Sequence, residues 1–187
     1  MKNEKIEQYA NKVEVMTMSG EVIPLWEWQK IYELPPNKIG KHYSLMEWRF
    51  KQDIEDYGKL VVCVPLIILL DAFRDLRKAP VRVASFNRDE KKQEDLRRRG
   101  FKAATHSPHV VKMAADVDCD TVADVHRDAK LMKEAATAAG IKCRIGWRTY
   151  LPDQTFIHVD VCPMYYEAGG AFHHVKHPLV WEKQISW

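Results

Sequence analysis

The run TVADVHRDAKLMKEAATAA, residues 121–139, constrains the fold more than any other segment. Val122, Val125, Ala129, Met132, Ala136 and Ala139 recur on one face at helical spacing, and Gly140 supplies the stop. A helix with one apolar stripe must bury it against another layer. The flanking segments say what that layer is. AADVD (114–118) precedes the helix, and KCRIGW (142–147) and FIHVDV (156–161) follow it, each short and strand-like. Upstream, VRVASF (81–86) alternates as a strand does. DEKKQEDLRRRG (89–100) begins acidic, ends basic and stops at Gly100, as a surface helix should. Pro65 reads as the first residue of a further helix, with Leu66, Leu69, Leu70, Phe73 and Leu76 at helical spacing and Arg74, Arg77 and Lys78 at its end. The order is helix, strand, helix, strand, helix, strand, strand. It predicts an α+β domain with a small antiparallel sheet flanked by helices.

Residues 1–50 read as an N-terminal appendage, and 51–187 as a single domain, a reasonable size for one core. Within the appendage, VEVMTM and EVIPLW flank a Ser-Gly turn and read as a hairpin. LPPNKIGKHY is turn chemistry, and Ser44 with Glu47 forms a capping box opening a helix over about 45–56.

Composition narrows the function classes. A net charge of +3 over 187 residues argues against a dedicated nucleic-acid binder, and the Arg97–Arg98–Arg99 run reads as the cationic end of a helix. The four cysteines have no CxxC spacing, so they read as buried thiols of a reducing compartment rather than a zinc ribbon or disulfide framework. MKNEKIEQYANK lacks the apolar core of a signal peptide, and LVVCVPLIILL is too short to span a bilayer. The expectation is cytoplasmic synthesis with no signal peptide and no membrane span. Action outside the cell would then need release or another export route.

Two short stretches carry the chemistry. SPHVVKMAADVD (107–118) sets His109 and Asp116 seven residues apart, and FIHVDV sets His158 and Asp160 on one face of a strand. A His, Asp, His set is what a hydrolytic zinc site uses: three protein ligands, a fourth position open to water, and a carboxylate nearby to take the proton. On the residues alone a chance pairing of core or surface histidines stands beside this reading, since eight histidines are available. Asp160 is placed either to orient a ligand imidazole or to act near the metal water.

The segment ASFNR (84–88), then Gln93 and Leu96, then SPHVVKMAADVD, then IGW and FIHVDVCP, resemble the zinc D-alanyl-D-alanine carboxypeptidase family. That family includes bacteriophage L-alanyl-D-glutamate endopeptidases, and its fold is similar to that of the hedgehog signalling domain. Its pattern is Ser-x-His, two residues, Gly, one residue, Ala, one residue, Asp, and later a His-x-Asp pair. Ser107, His109, Ala114, Asp116, His158 and Asp160 match in order and spacing, and the resemblance covers about residues 65–163. It implies that His109, Asp116 and His158 bind one Zn2+ ion. It places Arg88, Gln93 and Ser107 at the substrate; the candidates left for the general base are Asp153 and Asp160. The implied substrate is a peptidoglycan stem peptide, cut as a carboxypeptidase or an endopeptidase would cut it, and the missing signal peptide suits a bacteriophage protein. On the residues alone, Arg88 also reads as an exposed arginine near a helix start, and Gln93 as a solvated helix residue.

The chain departs from the pattern twice. Lys112 stands at the family's glycine, where a positive φ would be easy, so the loop is expected to differ. Thr155 stands where many members carry a carboxylate as base; Asp153 lies two residues further back and reaches the site only if the PDQT segment bends inward. These departures favour a second reading, a zinc-stabilised binding or virion-structural module without turnover. His106 flanks the site, His126 reads as solvated, and His173, His174 and His177 sit between Gly-Gly and Pro in a segment unsuited to a helical metal site. Met113, Trp147 and Phe156 read as packing.

Overall fold

The computed structural model describes residues 13–50, 60–101, 107–147 and 155–166. Strands β1 (Val13–Met16) and β2 (Val22–Pro24) form the expected antiparallel hairpin. Gly20 takes φ +86° in its turn, and Thr17 N–H donates to Glu21 O at 2.8 Å. Helix α1 (Leu25–Ile31) follows and buries Leu25, Trp28 and Gln29. Gln29 Nε2 donates to Pro36 O at 2.9 Å and Lys38 O at 2.8 Å, which satisfies backbone carbonyls of the proline turn. Helix α2 (Leu45–Phe50) opens where the capping box predicts, with Glu47 N–H donating to Ser44 Oγ at 3.0 Å. Its expected continuation to 56 lies outside the described residues.

Strand β3 (Leu60–Cys63) pairs in parallel with β1, from Val13↔Leu60 to Met16↔Cys63, and gives a mixed sheet of order β2-β1-β3. Helix α3 (Val64–Arg77) starts directly from β3, with Pro65 in its first turn and Lys78 in a left-handed cap. The apolar run LVVCVPLIILL is therefore part strand and part helix. No helix among the described residues is long and apolar enough to cross a membrane. Leu76, expected on the buried face, is exposed in the last turn.

The second sheet is fully antiparallel, of order β4-β5-β7-β6, and is the small sheet the element order predicts. It comprises β4 (Val83–Ser85), β5 (Ala114–Asp118), β6 (Arg144–Gly146) and β7 (Phe156–Asp160). Between β4 and β5 runs helix α4 (Glu90–Arg98), where Asp89 caps by accepting Lys92 N–H at 2.6 Å. Arg97 and Arg98 close it in the dipole-favoured turn, and Arg98 pairs with Glu94 at 2.9 Å. Helix α5 (Val122–Ala139) has a complete Thr121/Asp124 capping box and ends on Gly140 at φ +65°. Its Val125, Ala129, Met132 and Ala136 are buried as expected, while Val122 is exposed in the first turn. A short helix α6 (Pro163–Tyr166) follows β7. The fold is thus α+β.

Helices α3 and α5 pack on each other. Arg77 Nε and Asp128 Oδ2 meet across that contact at 2.9 Å, with Asp128 fully buried. α5 also covers the apolar face of the second sheet, where Ala115, Val117, Ile145, Ile157 and Val159 are all buried. Period-2 alternation then places Asp116, Arg144, His158 and Asp160 on the other face of β5, β6 and β7, with Ala114, Gly146 and Phe156 among them.

Candidate metal centre

Strand register builds that face. Asp116 on β5 lies opposite His158 on β7, and Ala114 lies opposite Asp160. On the other flank, Gly146 faces His158 and Arg144 faces Asp160. His109 reaches the same place from a tight turn between residues 107 and 113. Val110 N–H donates to Ser107 O at 2.9 Å, and Met113 N–H to Pro108 O at 3.0 Å. Ser107, itself buried, accepts the His109 backbone N–H on Oγ at 3.3 Å. Arg88 N–H donates to His109 O at 3.1 Å, and His109 Nδ1 donates to the Phe86 carbonyl. With its proton on Nδ1, His109 turns a bare Nε2 lone pair toward β5 and β7.

Three ligand atoms converge there. His109 Nε2 is 3.2 Å from His158 Nδ1 and 3.2 Å from Asp116 Oδ1, and His158 Nδ1 is 2.9 Å from Asp116 Oδ1. Zinc holds nitrogen and carboxylate ligands at about 2.0–2.1 Å with tetrahedral angles, which sets its ligands roughly 3.3 Å apart. The triangle has the dimensions of one face of that tetrahedron, so the three residues fit one four-coordinate ion with one position left over. Among the described residues it is the group of histidine, cysteine and carboxylate side chains able to hold a metal.

The electrostatics match. Burial favours a neutral Asp116, but the charge and hydrogen bonds of His109 and His158 outweigh it and hold the carboxyl well below the usual range. Burial also disfavours a charged His158, yet Asp116 and Asp160 prevail and push its pKa up to about 9. The basic His158 ring beside an anionic carboxylate makes a site in which a cation can replace a proton.

The residues expected at the substrate sit around this triangle. Arg88 Nη2 is 3.6 Å from Asp116 Oδ2, and Arg88 Nη1 donates to Gln93 Oε1 at 2.8 Å. Arg88 is largely covered and Gln93 buried, so neither is the exposed arginine nor the solvated residue of the alternative reading. Asp160 is fully buried, and its Oδ2 faces His158 Nε2, the ring nitrogen away from the triangle, at 3.7 Å.

Lys112 corrects an expectation. The lysine keeps the positive φ that a glycine would supply, at +69°. Its N–H donates to His109 O at 3.2 Å, and its Nζ lies 3.4 Å from Arg88 O. The backbone here takes the conformation a glycine would adopt freely, and the lysine bears the left-handed strain. Met113 and Trp147 are buried and Phe156 half-buried, as packing residues should be. His126 is exposed and sets its ring edge against Trp147 at 4.5 Å. Asp153, His106, His173, His174 and His177 lie outside the described residues.

Two partners escaped the sequence reading. The Phe86 carbonyl leaves no trace in a sequence. Arg144 leaves one, a charge inside the strand-like KCRIGW, which only the register with Asp160 explains.

No family model matches the sequence, and no curated protein matches it. Among solved structures, the chain is similar to the L-Ala D-Glu endopeptidase ChiX of Serratia marcescens, with 22% sequence identity and a TM-score of 0.47 over 56% of this chain and 84% of that one.

Proposed function

We propose that the chain is a zinc metallopeptidase acting on peptidoglycan stem peptides, of the D-Ala-D-Ala carboxypeptidase or L-Ala-D-Glu endopeptidase type, in a domain of the hedgehog-like peptidase fold. The observation that carries this reading is the triangle of His109 Nε2, Asp116 Oδ1 and His158 Nδ1, with separations of 3.2, 3.2 and 2.9 Å. When bound, zinc polarises a peptide carbonyl and activates water for attack. The chain's own residues do the rest. His109 and His158 direct ring lone pairs inward, and Asp116 supplies the negative charge. Arg88, braced by Gln93, offers a guanidinium to a substrate carboxylate, and Ser107 holds the His109 turn. Asp160 orients His158, which leaves Asp153 as the general base in this scheme.

Zinc per chain in the purified protein, with His109→Ala and His158→Ala alongside, tests the centre. Near-stoichiometric zinc, lost in both variants, supports it; a folded wild type that takes up none after supplementation sinks it. Digestion of muropeptides, with loss of activity in Asp153→Asn, then tests the reaction.

A non-catalytic zinc module is the second reading. Thr155 favours it, standing where related peptidases carry a carboxylate and giving its backbone carbonyl to Cys119 N–H at 2.9 Å. Stoichiometric zinc without cleavage of any stem peptide would establish it.

A further inference from the structure

Behind His158, on the same face of the second sheet, lies an ion pair of which the scheme above uses only Asp160. Arg144 Nε donates to Asp160 Oδ1 at 3.0 Å and to Oδ2 at 2.9 Å, and Cys162 N–H donates to Oδ1 at 3.1 Å. The two side chains are 3% and 0% exposed. Burying two charges is costly, and an apolar pair of the same volume often serves stability as well or better. A reason beyond stability is therefore in order. Asp160 Oδ2 supplies it by facing His158 Nε2 at 3.7 Å, longer than a hydrogen bond but close enough for its charge to act.

A neutral imidazole carries one proton, and the partner of one nitrogen decides which nitrogen is left bare. His109 has the Phe86 carbonyl for this purpose. His158 has the Asp160 carboxylate behind Nε2, at 3.7 Å, and a carboxylate can rotate and shift unless something anchors it. We infer that Arg144 is a positioning residue for the metal centre: it holds Asp160 as an oriented acceptor behind His158, so that the ring proton stays on Nε2 and the Nδ1 lone pair points at His109 and Asp116. The inference rests on the zinc reading proposed above.

The test is zinc affinity by chelator competition on the full chain, with urea unfolding and the cobalt(II) ligand-field spectrum as companions. The proteins are wild type, Arg144→Lys, Arg144→Met and the double variant Arg144→Met/Asp160→Leu. The double variant removes both buried charges, so it leaves none unpaired if Arg144→Met alone fails to fold. Arg144→Met is expected to weaken zinc binding about 10–100-fold and to alter the cobalt spectrum, with Arg144→Lys recovering most of the loss. The double variant is expected to unfold at wild-type urea or above, yet to bind zinc as weakly as Arg144→Met. Stability kept while affinity falls is what a purely structural pair would not produce. Wild-type affinity and an unchanged cobalt spectrum in a folded Met-containing variant overturn the inference. A wild type that binds no zinc overturns instead the reading beneath it.

Discussion

His158 makes the centre sensitive to pH. Its pKa in the folded, metal-free chain stands at about 9 against an ordinary 6.5. The protonated ring therefore stabilises the metal-free fold fully below about 6.5, and that contribution is lost as pH rises through about 9. If zinc binds as proposed it needs the neutral ring, so uptake would displace this proton. Affinity should fall about tenfold per pH unit on lowering the pH from about 9, with proton release visible as a buffer-dependent heat of binding. An affinity flat across that range would mean that His158 is not a ligand. Lys112 offers a second test. At φ +69°, a β-branched side chain is more strained than lysine and glycine is unstrained. Lys112→Val should cost about 1–2 kcal/mol in urea unfolding, and Lys112→Gly should cost nothing or stabilise slightly.

Between elements, α3 organises the chain through its two aspartates. Asp71 accepts the backbone N–H groups of Lys41 and His42 at 2.8 Å each, and one turn on Asp75 takes Lys41 Nζ at 2.7 Å and His42 Nε2 at 2.6 Å. Gly40 makes the approach possible, since a Cβ there would collide with Ile67 and Asp71. The loop between α1 and α2 is thereby clamped to α3. Asp71→Ala strands two backbone donors and should cost about 1–3 kcal/mol. Asp75→Ala removes solvent-screened contacts to Lys41 and His42 and should cost clearly less than Asp71→Ala. Urea denaturation of the two variants checks the order; equal losses would refute the clamp.

At the scale of the whole molecule, the described residues of the first fifty and the part that carries His109, Asp116 and His158 share one apolar core. Tyr43, Leu45 and Trp48 are buried in the same cluster as Phe73, Phe86 and Ile157. Asn87, next to Arg88, donates to Val61 O at 2.9 Å and so ties the end of β4 to β3. A chain beginning at residue 51 loses β1, the parallel partner of β3, and bares an edge strand together with the apolar surface of α3. Such a truncation should aggregate or unfold without a cooperative transition, read by solubility and circular dichroism. A soluble truncation with wild-type zinc uptake would show instead that residues 1–50 are dispensable.

Much of the local structure was legible because it depends on near neighbours along the chain. The 121–139 periodicity, the Thr121 and Asp89 caps, the Gly140 stop and the alternation in FIHVDV each express one element's own chemistry. His109, Asp116 and His158 were legible only as a candidate set, two spaced motifs that resemble a family pattern, and their convergence comes from strand register. Strand β3 was not, because an apolar run that passes from strand into helix at Cys63 and Val64 shows no change of composition at the boundary. Pairings between distant segments were beyond reach altogether. Only the tertiary structure sets Val13 beside Leu60, Arg144 beside Asp160 and the Phe86 carbonyl against His109. Register and backbone contacts depend on how whole elements pack, and no single stretch of sequence encodes them.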